Sequence, residues 1–173
     1  PALQLPDAWL VAGCLFQTVW NLKSGRAPES GIKDYDLFYF DAGDLSAAAE
    51  AAVQQRVQAA FPGVPVEAKN QARVHCWYED WCGHPYEPLG CSADGIARFL
   101  IPGTCVGVQP QADGRLRLQA PYGLDDLYAG RLRPNSLIDH RTLFRAKAAS
   151  YRARWPWLSV QEGPARTEAA AHQ

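Results

Sequence analysis

The stretch Lys33-Asp34-Tyr35-Asp36-Leu37-Phe38-Tyr39-Phe40-Asp41 decides the reading of this chain of 173 residues. Its aromatic, alternating character from Tyr35 to Phe40 predicts a strand. On a strand, alternate side chains share a face. Asp34 and Asp36 therefore point the same way, with Cα atoms roughly 6.5–7 Å apart. Two carboxylates so placed repel each other, and a divalent ion between them relieves the repulsion. Mg²⁺ favours oxygen ligands of this kind and keeps positions open for phosphate oxygens and water. The competing reading is two solvated carboxylates at an exposed strand end.

Upstream of that strand, Ala8 to Ala12 is an apolar run ending at Gly13. It predicts a buried strand or the start of a helix. Leu15, Val19 and Leu22 recur at helical spacing, and Gly25 suits the helix C-terminus. Downstream, Ser46 can cap a helix whose one face carries Ala49, Val53, Val57 and Phe61, with Pro62-Gly63 as its stop. Val64 to Lys69 alternates and predicts another strand. His75 to Trp81 reads as helical, and Ser92 as the cap of a short helix through Leu100. Cys105 to Val108 and Leu116 to Ala120 predict two strands joined at Asp113-Gly114. Pro121 to Pro134 reads as a loop carrying a short helix. Phe144, Ala148, Tyr151 and Trp155 share one face of a last helix limited by Pro156. Gln161 to Gln173 is polar and Ala-rich, and predicts a mobile tail.

The length suits one domain able to bury a core without staples. With 17 basic and 18 acidic residues the net charge is -1, so no global field attracts nucleic acid or lipid. Any nucleotide must be held by a local basic cluster. No apolar run is long enough to span a bilayer, and the first residues show no signal-peptide pattern. Five cysteines, an odd count, suit reduced thiols in the cytoplasm. His75, Cys76, Cys82, His84 and Cys91 crowd one region and offer a zinc-ligand reading. Their irregular spacing, without C-x-x-C, favours scattered core thiols and surface imidazoles instead.

Glu67 is the candidate third carboxylate. It lies on the polar face of the Val64 to Lys69 strand, where it could hold a second ion or accept a proton. An ion pair with Lys69, two residues away on the same face, is the alternative. Gly13 opens a helix whose free N–H groups suit phosphate oxygens. No G-x-x-x-x-G-K-[ST] and no G-x-G-x-x-G occurs, which removes the common kinase, ATPase and dinucleotide-binding readings. Lys69 and Arg73 are candidate phosphate contacts, or else surface ion pairs. Asn70 and Gln71 can read a base or ribose, or close a turn. Asp125 and Asp126 can line the cleft or cap the next helix.

A glycine at a helix start, D-x-D on a strand and a third acid on a later strand resemble the nucleotidyltransferase superfamily, whose fold DNA polymerase beta shares. More closely, the chain resembles a family of bacterial nucleotidyltransferases. The resemblance runs through Ala12-Gly13, Val19-Trp20, Asp34 to Asp41, Lys69-Asn70-Gln71-Ala72-Arg73-Val74-His75, Val106-Gly107-Val108, Ala120 to Leu127 and Arg133-Pro134-Asn135. The chain departs from the family pattern at Phe16-Gln17, where Arg-Asn is expected, at Trp20-Asn21, where Trp-Asp is expected, and at Cys14, in place of Gly or Ser. The Phe16 departure removes a phosphate contact.

The resemblance implies an α+β fold, a mixed β-sheet flanked by helices with a C-terminal β-hairpin and helix extension. It implies one domain over residues 1–160, with a core of about 5–120 and an extension of about 121–160, followed by the tail 161–173. It further implies transfer of a nucleoside monophosphate from an NTP to an acceptor hydroxyl, with pyrophosphate released. Asp34, Asp36 and Glu67 would be catalytic and would hold Mg²⁺ or Mn²⁺. Gly13, Lys69, Asn70 and Arg73 would bind the nucleotide. The acceptor, whether small molecule, RNA or protein, is not legible, nor is the oligomeric state. The runner-up is an inactive relative that binds a nucleotide or a protein through the same cleft.

Overall fold

Trp9 and Val11, the two buried ends of a short apolar run, form β1 (Trp9–Val11), the central strand of a five-stranded mixed sheet. The computed structural model describes residues 3–138 and 140–162. The other strands are β2 (Tyr35–Tyr39), β3 (Val66–Asn70), β4 (Gly107–Pro110) and β5 (Leu116–Gln119). Their order is β3-β2-β1-β4-β5, antiparallel throughout except for the parallel β2–β3 pair. The predicted hairpin turns at Gly114, whose φ of 80° needs glycine. It is not an appendage: β4 pairs with β1, so the hairpin supplies two strands of the main sheet.

The helices are α1 (Gly13–Lys23), α2 (Ala47–Ala60), α3 (Tyr78–Cys82), α4 (Ser92–Ile96), α5 (Asp125–Ala129) and α6 (Arg141–Arg154). Gly25 follows α1 in the left-handed conformation, and the Ser46 hydroxyl accepts the Ala49 N–H at 3.1 Å, as their sequence positions predict. Two local expectations are corrected. The buried face of α1 is Phe16 and Trp20, whereas Leu22 is exposed. Ser92 is the first residue of α4, not its cap, because its hydroxyl is committed to the carbonyl of Asp7 at 2.8 Å; the helix ends at Ile96 rather than Leu100.

Strand parity sorts the sheet into two faces. Tyr35, Leu37 and Tyr39 pack with Val66 and Ala68 beneath Val53 and Val57 of α2. Trp9, Val11 and Phe38 pack with Ile96 and Phe99 on the other face. β3 is an edge strand, and α2 covers that edge with polar side chains. Gln54 donates to the Val66 carbonyl and accepts from the Ala68 N–H, both at 2.7 Å, while Glu50 accepts the Asn70 N–H at 2.8 Å.

A third cluster unites the two ends of the chain. Phe16 and Trp20 of α1 pack against Leu127 of α5, against Phe144, Ala148 and Tyr151 of α6, and against Trp155 just after it. All four residues picked out by helical spacing are buried. A two-stranded parallel pair, β6 (Arg131–Leu132) with β7 (Ser159–Val160), closes this region and has no clear sequence signal. Residues 163–173, expected as a mobile tail, lie outside the described residues; Glu162 is placed and pairs with Arg145 at 2.8 Å. Among the described residues no helix is long and apolar enough to cross a membrane.

Candidate functional site

The chain turns from β1 into α1 through a single residue, Ala12, at φ 56° and ψ −119°. This conformation is costly for any residue with a Cβ, by about 1–3 kcal/mol. It is held by the Ala12 N–H on the Val106 carbonyl at 3.0 Å, and by the Ala12 carbonyl accepting from Leu15 and Phe16. The turn brings the start of α1, with Gly13 at its head, to the side of the sheet where β2 begins. Gly13 leaves room for the Gln17 amide, whose nitrogen would stand 2.9 Å from a Cβ there.

Beside this turn lies a cavity of about 530 Å³. Gly13 and Gln17 of α1 form one wall, and Asp34 and Asp36 another. Arg98, Phe99 and Thr104 close a third side, and Leu143, Lys147, Ser150, Tyr151 and Arg154 of α6 the fourth. Asp34 and Asp36 thus share one cavity, as strand parity predicts. The Asp36 carboxyl is pushed up from 3.8 to about 6, first by burial, then by the neighbouring charges of Asp34 and Glu67; Lys147 and Lys69 oppose the shift. Burial first, and then the charges of Asp36 and Asp34, push the Cys14 thiol up to about 11, so that it stays protonated.

Glu67 stands opposite Asp36 in the parallel register, and its side chain is on the same face. It is exposed, pairs with Lys69 at 2.9 Å and does not line the cavity. Among the described residues, no three His, Cys, Asp or Glu side chains form a ready-made metal cage. Asp34 and Asp36 are a two-point seat. That fits a hard cation such as Mg²⁺, which usually takes one or two carboxylates and completes its shell with water and phosphate oxygens. One further feature fits a polar occupant: the Gln17 amide oxygen is buried at the cavity wall without a hydrogen-bond partner.

The K-N-Q-A-R run is committed to architecture. The Asn70 side chain is buried and clamps the backbone of Asp41, accepting its N–H at 3.0 Å and donating to its carbonyl at 2.8 Å. Arg73 forms a largely buried pair with Glu50 at 2.6 Å and reaches the Leu45 carbonyl at 3.1 Å. Gln71 packs so tightly on α4 that a Cβ on Gly95 would come within 2.1 Å of it. These bonds tie β3 and the turn after it to their neighbours. The A-P-Y-G-L-D-D-L run also acts indirectly. Tyr122 donates to the Ala97 carbonyl at 2.8 Å, and Asn135 donates to the carbonyls of Ala97 and Phe99, fixing the segment that carries Arg98. Asp126 neither lines the cleft nor caps α5: it pairs with Arg131 at 2.8 Å and Arg133 at 2.5 Å. Burial alone would raise its pKa, but those two guanidinium groups hold it below the ordinary range.

Two departures from the family pattern have structural reasons. Phe16 packs against Trp20 and Tyr151, with ring centroids 4.8 and 5.4 Å away, and floors the cavity. Asn21 is fully buried; its amide donates to the carbonyls of Pro28 and Ser30 and accepts the Trp155 indole N–H at 3.0 Å. An aspartate has no N–H to give those two carbonyls. Sequence reasoning missed Gln17, Arg98, Lys147 and Arg154 as cavity residues. The α6 positions were findable: Leu143, Lys147, Tyr151 and Arg154 follow helical spacing beside the buried stripe.

The strand-to-helix turn at Ala12 and Gly13 thus shares a cavity with Asp34, just before β2, and Asp36, within it. The chain belongs to the nucleotidyltransferase family: the family model described as "Nucleotidyltransferase" matches residues 1–160. It is also similar to a solved structure described as a CCA-adding enzyme head domain. That likeness has a TM-score of 0.77 and 26% identity, over 92% of this chain and 84% of the other. No curated protein matches the sequence.

Proposed function

We propose that this protein transfers a nucleoside monophosphate from an NTP to an acceptor hydroxyl, with a divalent ion held by Asp34 and Asp36. The observation that carries the reading is the pair itself: two carboxylates in one cavity, with Asp36 raised to about 6 by burial and by its acidic neighbours. Such a site favours a bound cation over two bare charges. Family membership supports the same chemistry. When bound, Mg²⁺ or Mn²⁺ would neutralise phosphate oxygens and make the α-phosphorus more electrophilic.

The chain's own residues do the remaining work. The N–H groups of Gly13 and Cys14, in the first turn of α1, have no intrahelical acceptors, and Gly13 lines the cavity, a place suited to phosphate oxygens. Glu67 shares a face with Asp36; released from Lys69, it would accept the acceptor hydroxyl's proton or hold a second ion, and Lys69 would then meet a phosphate. A bond forms between the acceptor oxygen and the α-phosphorus. The bond from that phosphorus to its bridging oxygen breaks, the hydroxyl proton passes to the base, and pyrophosphate leaves. Asn70 and Arg73 enter this scheme only as the residues that keep β3 in place.

The likeness to the head domain of a CCA-adding enzyme makes RNA the first acceptor to test, ahead of small molecules and proteins. The five free thiols suit a reduced, cytoplasmic setting. The experiment supplies each of the four labelled NTPs with Mg²⁺ or Mn²⁺ to RNA, protein and small-molecule pools, and follows pyrophosphate release. Asp36→Asn should abolish release, and chelation of the metal should do the same. A second reading, a relative that binds nucleotide without reaction, is favoured by Phe16, whose ring occupies the place of an expected arginine. Metal-dependent nucleotide binding with no release against any pool would establish that reading instead.

A further inference from the structure

We propose that the pyrophosphate end of the nucleotide is held by α6, through Lys147 and Arg154 with Lys33 beside them, in place of the arginine that α1 lacks. The inference rests on the nucleotidyl-transfer reading for the identity of the ligand, but not for the existence of a polyphosphate seat.

The charge pattern of the cavity is the starting point. Four cations line it, Lys33, Arg98, Lys147 and Arg154, against two acids, Asp34 and Asp36. Several arginines elsewhere are neutralised: Arg73 with Glu50, Arg131 and Arg133 with Asp126, Arg145 with Glu162. The cavity cations are not. Among the described residues, none of the four cations is within ion-pair distance of a carboxylate. Lys147 is close enough to Asp36 to lower its pKa, yet forms no pair with it. In a protein of net charge -1, this is a local concentration of unspent positive charge. With a divalent ion on the aspartates it becomes a seat for a strongly anionic chain.

The placement of the side chains is equally specific. Leu143, Lys147, Ser150, Tyr151 and Arg154 form one stripe of α6 along the cavity wall. Lys147 and Arg154 are seven residues apart, about 10 Å along the axis, which suits a string of phosphates better than one. Arg154 is already oriented. Its guanidinium lies over the Trp155 ring at 4.1 Å and spends one N–H on the Gly31 carbonyl at 3.0 Å. Its other N–H groups are available, and a fixed guanidinium fork matches phosphate oxygens well. α1 presents Phe16, whose ring touches Tyr151 of α6, and Gln17 to the same cavity, and neither side chain is cationic. The phosphate contact missing from α1 and the surplus charge on α6 face the same space.

The test is calorimetric titration of the full chain, with Mg²⁺ present throughout, using inorganic tripolyphosphate and separately ATP, GTP, CTP and UTP. The proteins are the parent and Lys147→Gln, Arg154→Gln, Lys147→Arg and Arg152→Gln. Lys147 is exposed, so its substitution leaves the fold intact even if loss of Arg154 loosens the 28–34 loop. Lys147→Gln and Arg154→Gln should each weaken tripolyphosphate binding roughly tenfold or more, as expected for losing a charge-assisted contact. Lys147→Arg should restore it. Arg152→Gln, on the same helix but away from the cavity, should bind like the parent. If the parent binds a magnesium nucleotide and Lys147→Gln binds it equally well, the α6 seat is wrong while the transfer reading stands. If tripolyphosphate binds and responds to Lys147 but no nucleotide binds, the seat stands and the transfer reading falls. A parent that binds no tripolyphosphate overturns the proposal outright.

Discussion

Asp36 and Asn21 show how single residues here are pulled between folding and chemistry. The Asp36 pKa is raised from 3.8 to about 6, so ionising it costs the folded state free energy. Its favourable contribution is complete below about pH 4 and is lost as pH rises through about 6. Asp36→Asn should therefore raise the melting temperature relative to the parent near pH 7.5 and leave it little changed near pH 4. Mg²⁺ should narrow the gap at the higher pH by stabilising only the parent. Thermal denaturation at both pH values, with and without the ion, checks this; a pH-independent gap contradicts it. Asn21 has the opposite character. Asn21→Asp would place a carboxylate against two carbonyl oxygens in a fully buried position. A loss of about 3 kcal/mol or more is expected at neutral pH, easing in acid as the group protonates. Urea denaturation at two pH values measures it.

At the scale of elements, α2 and β3 show what sequence could and could not reveal. The alternation of Val66, Ala68 and Asn70 against Glu67 and Lys69 announces the strand, and the Ser46 cap announces the helix. That Gln54 and Glu50 would serve the strand's open edge is a tertiary fact without a local signature. Gln54→Ala leaves the Val66 carbonyl and Ala68 N–H without their present partner, and should destabilise by about 1–3 kcal/mol. It should also expose a pairing edge, so that light scattering on heating rises ahead of the parent's. A variant with parent-like stability and scattering would show that the edge needs no cover. The candidate site was legible on the same terms. Parity placed Asp34 and Asp36 together because it depends only on sequence neighbours. It could not show that Arg73, thirty-nine positions from Asp34 in sequence, would be consumed by Glu50. Nor could it show that Lys147 would arrive across the cavity from the far end of the chain.

For the whole molecule, α6 is the element on which both stability and site depend. One side of it supplies Phe144, Ala148 and Tyr151 to the core, joined by Trp155 just after it, and the adjoining side lines the cavity. Trp155 is fully buried and donates its indole N–H to Asn21. Trp155→Ala should cost about 3–5 kcal/mol, through the cavity left behind and the unpaired Asn21 oxygen. It should also weaken tripolyphosphate binding under conditions where the variant remains folded, because Arg154 loses the ring it rests on. Chemical denaturation and calorimetry on the same preparation would register both losses.

The turn at Ala12, the aspartates of β2 and the hairpin are all made before the ribosome reaches residue 141. A nascent chain at that stage carries the acidic half of the cavity and none of the α6 wall. Phe16 and Trp20 are still without the aromatic partners that will cover them. Asp34, Asp36, Lys33 and Arg98 are thus made early, and Lys147 and Arg154 last. The cavity is complete only when the final helix has docked, and until then the apolar face of α1 stays uncovered.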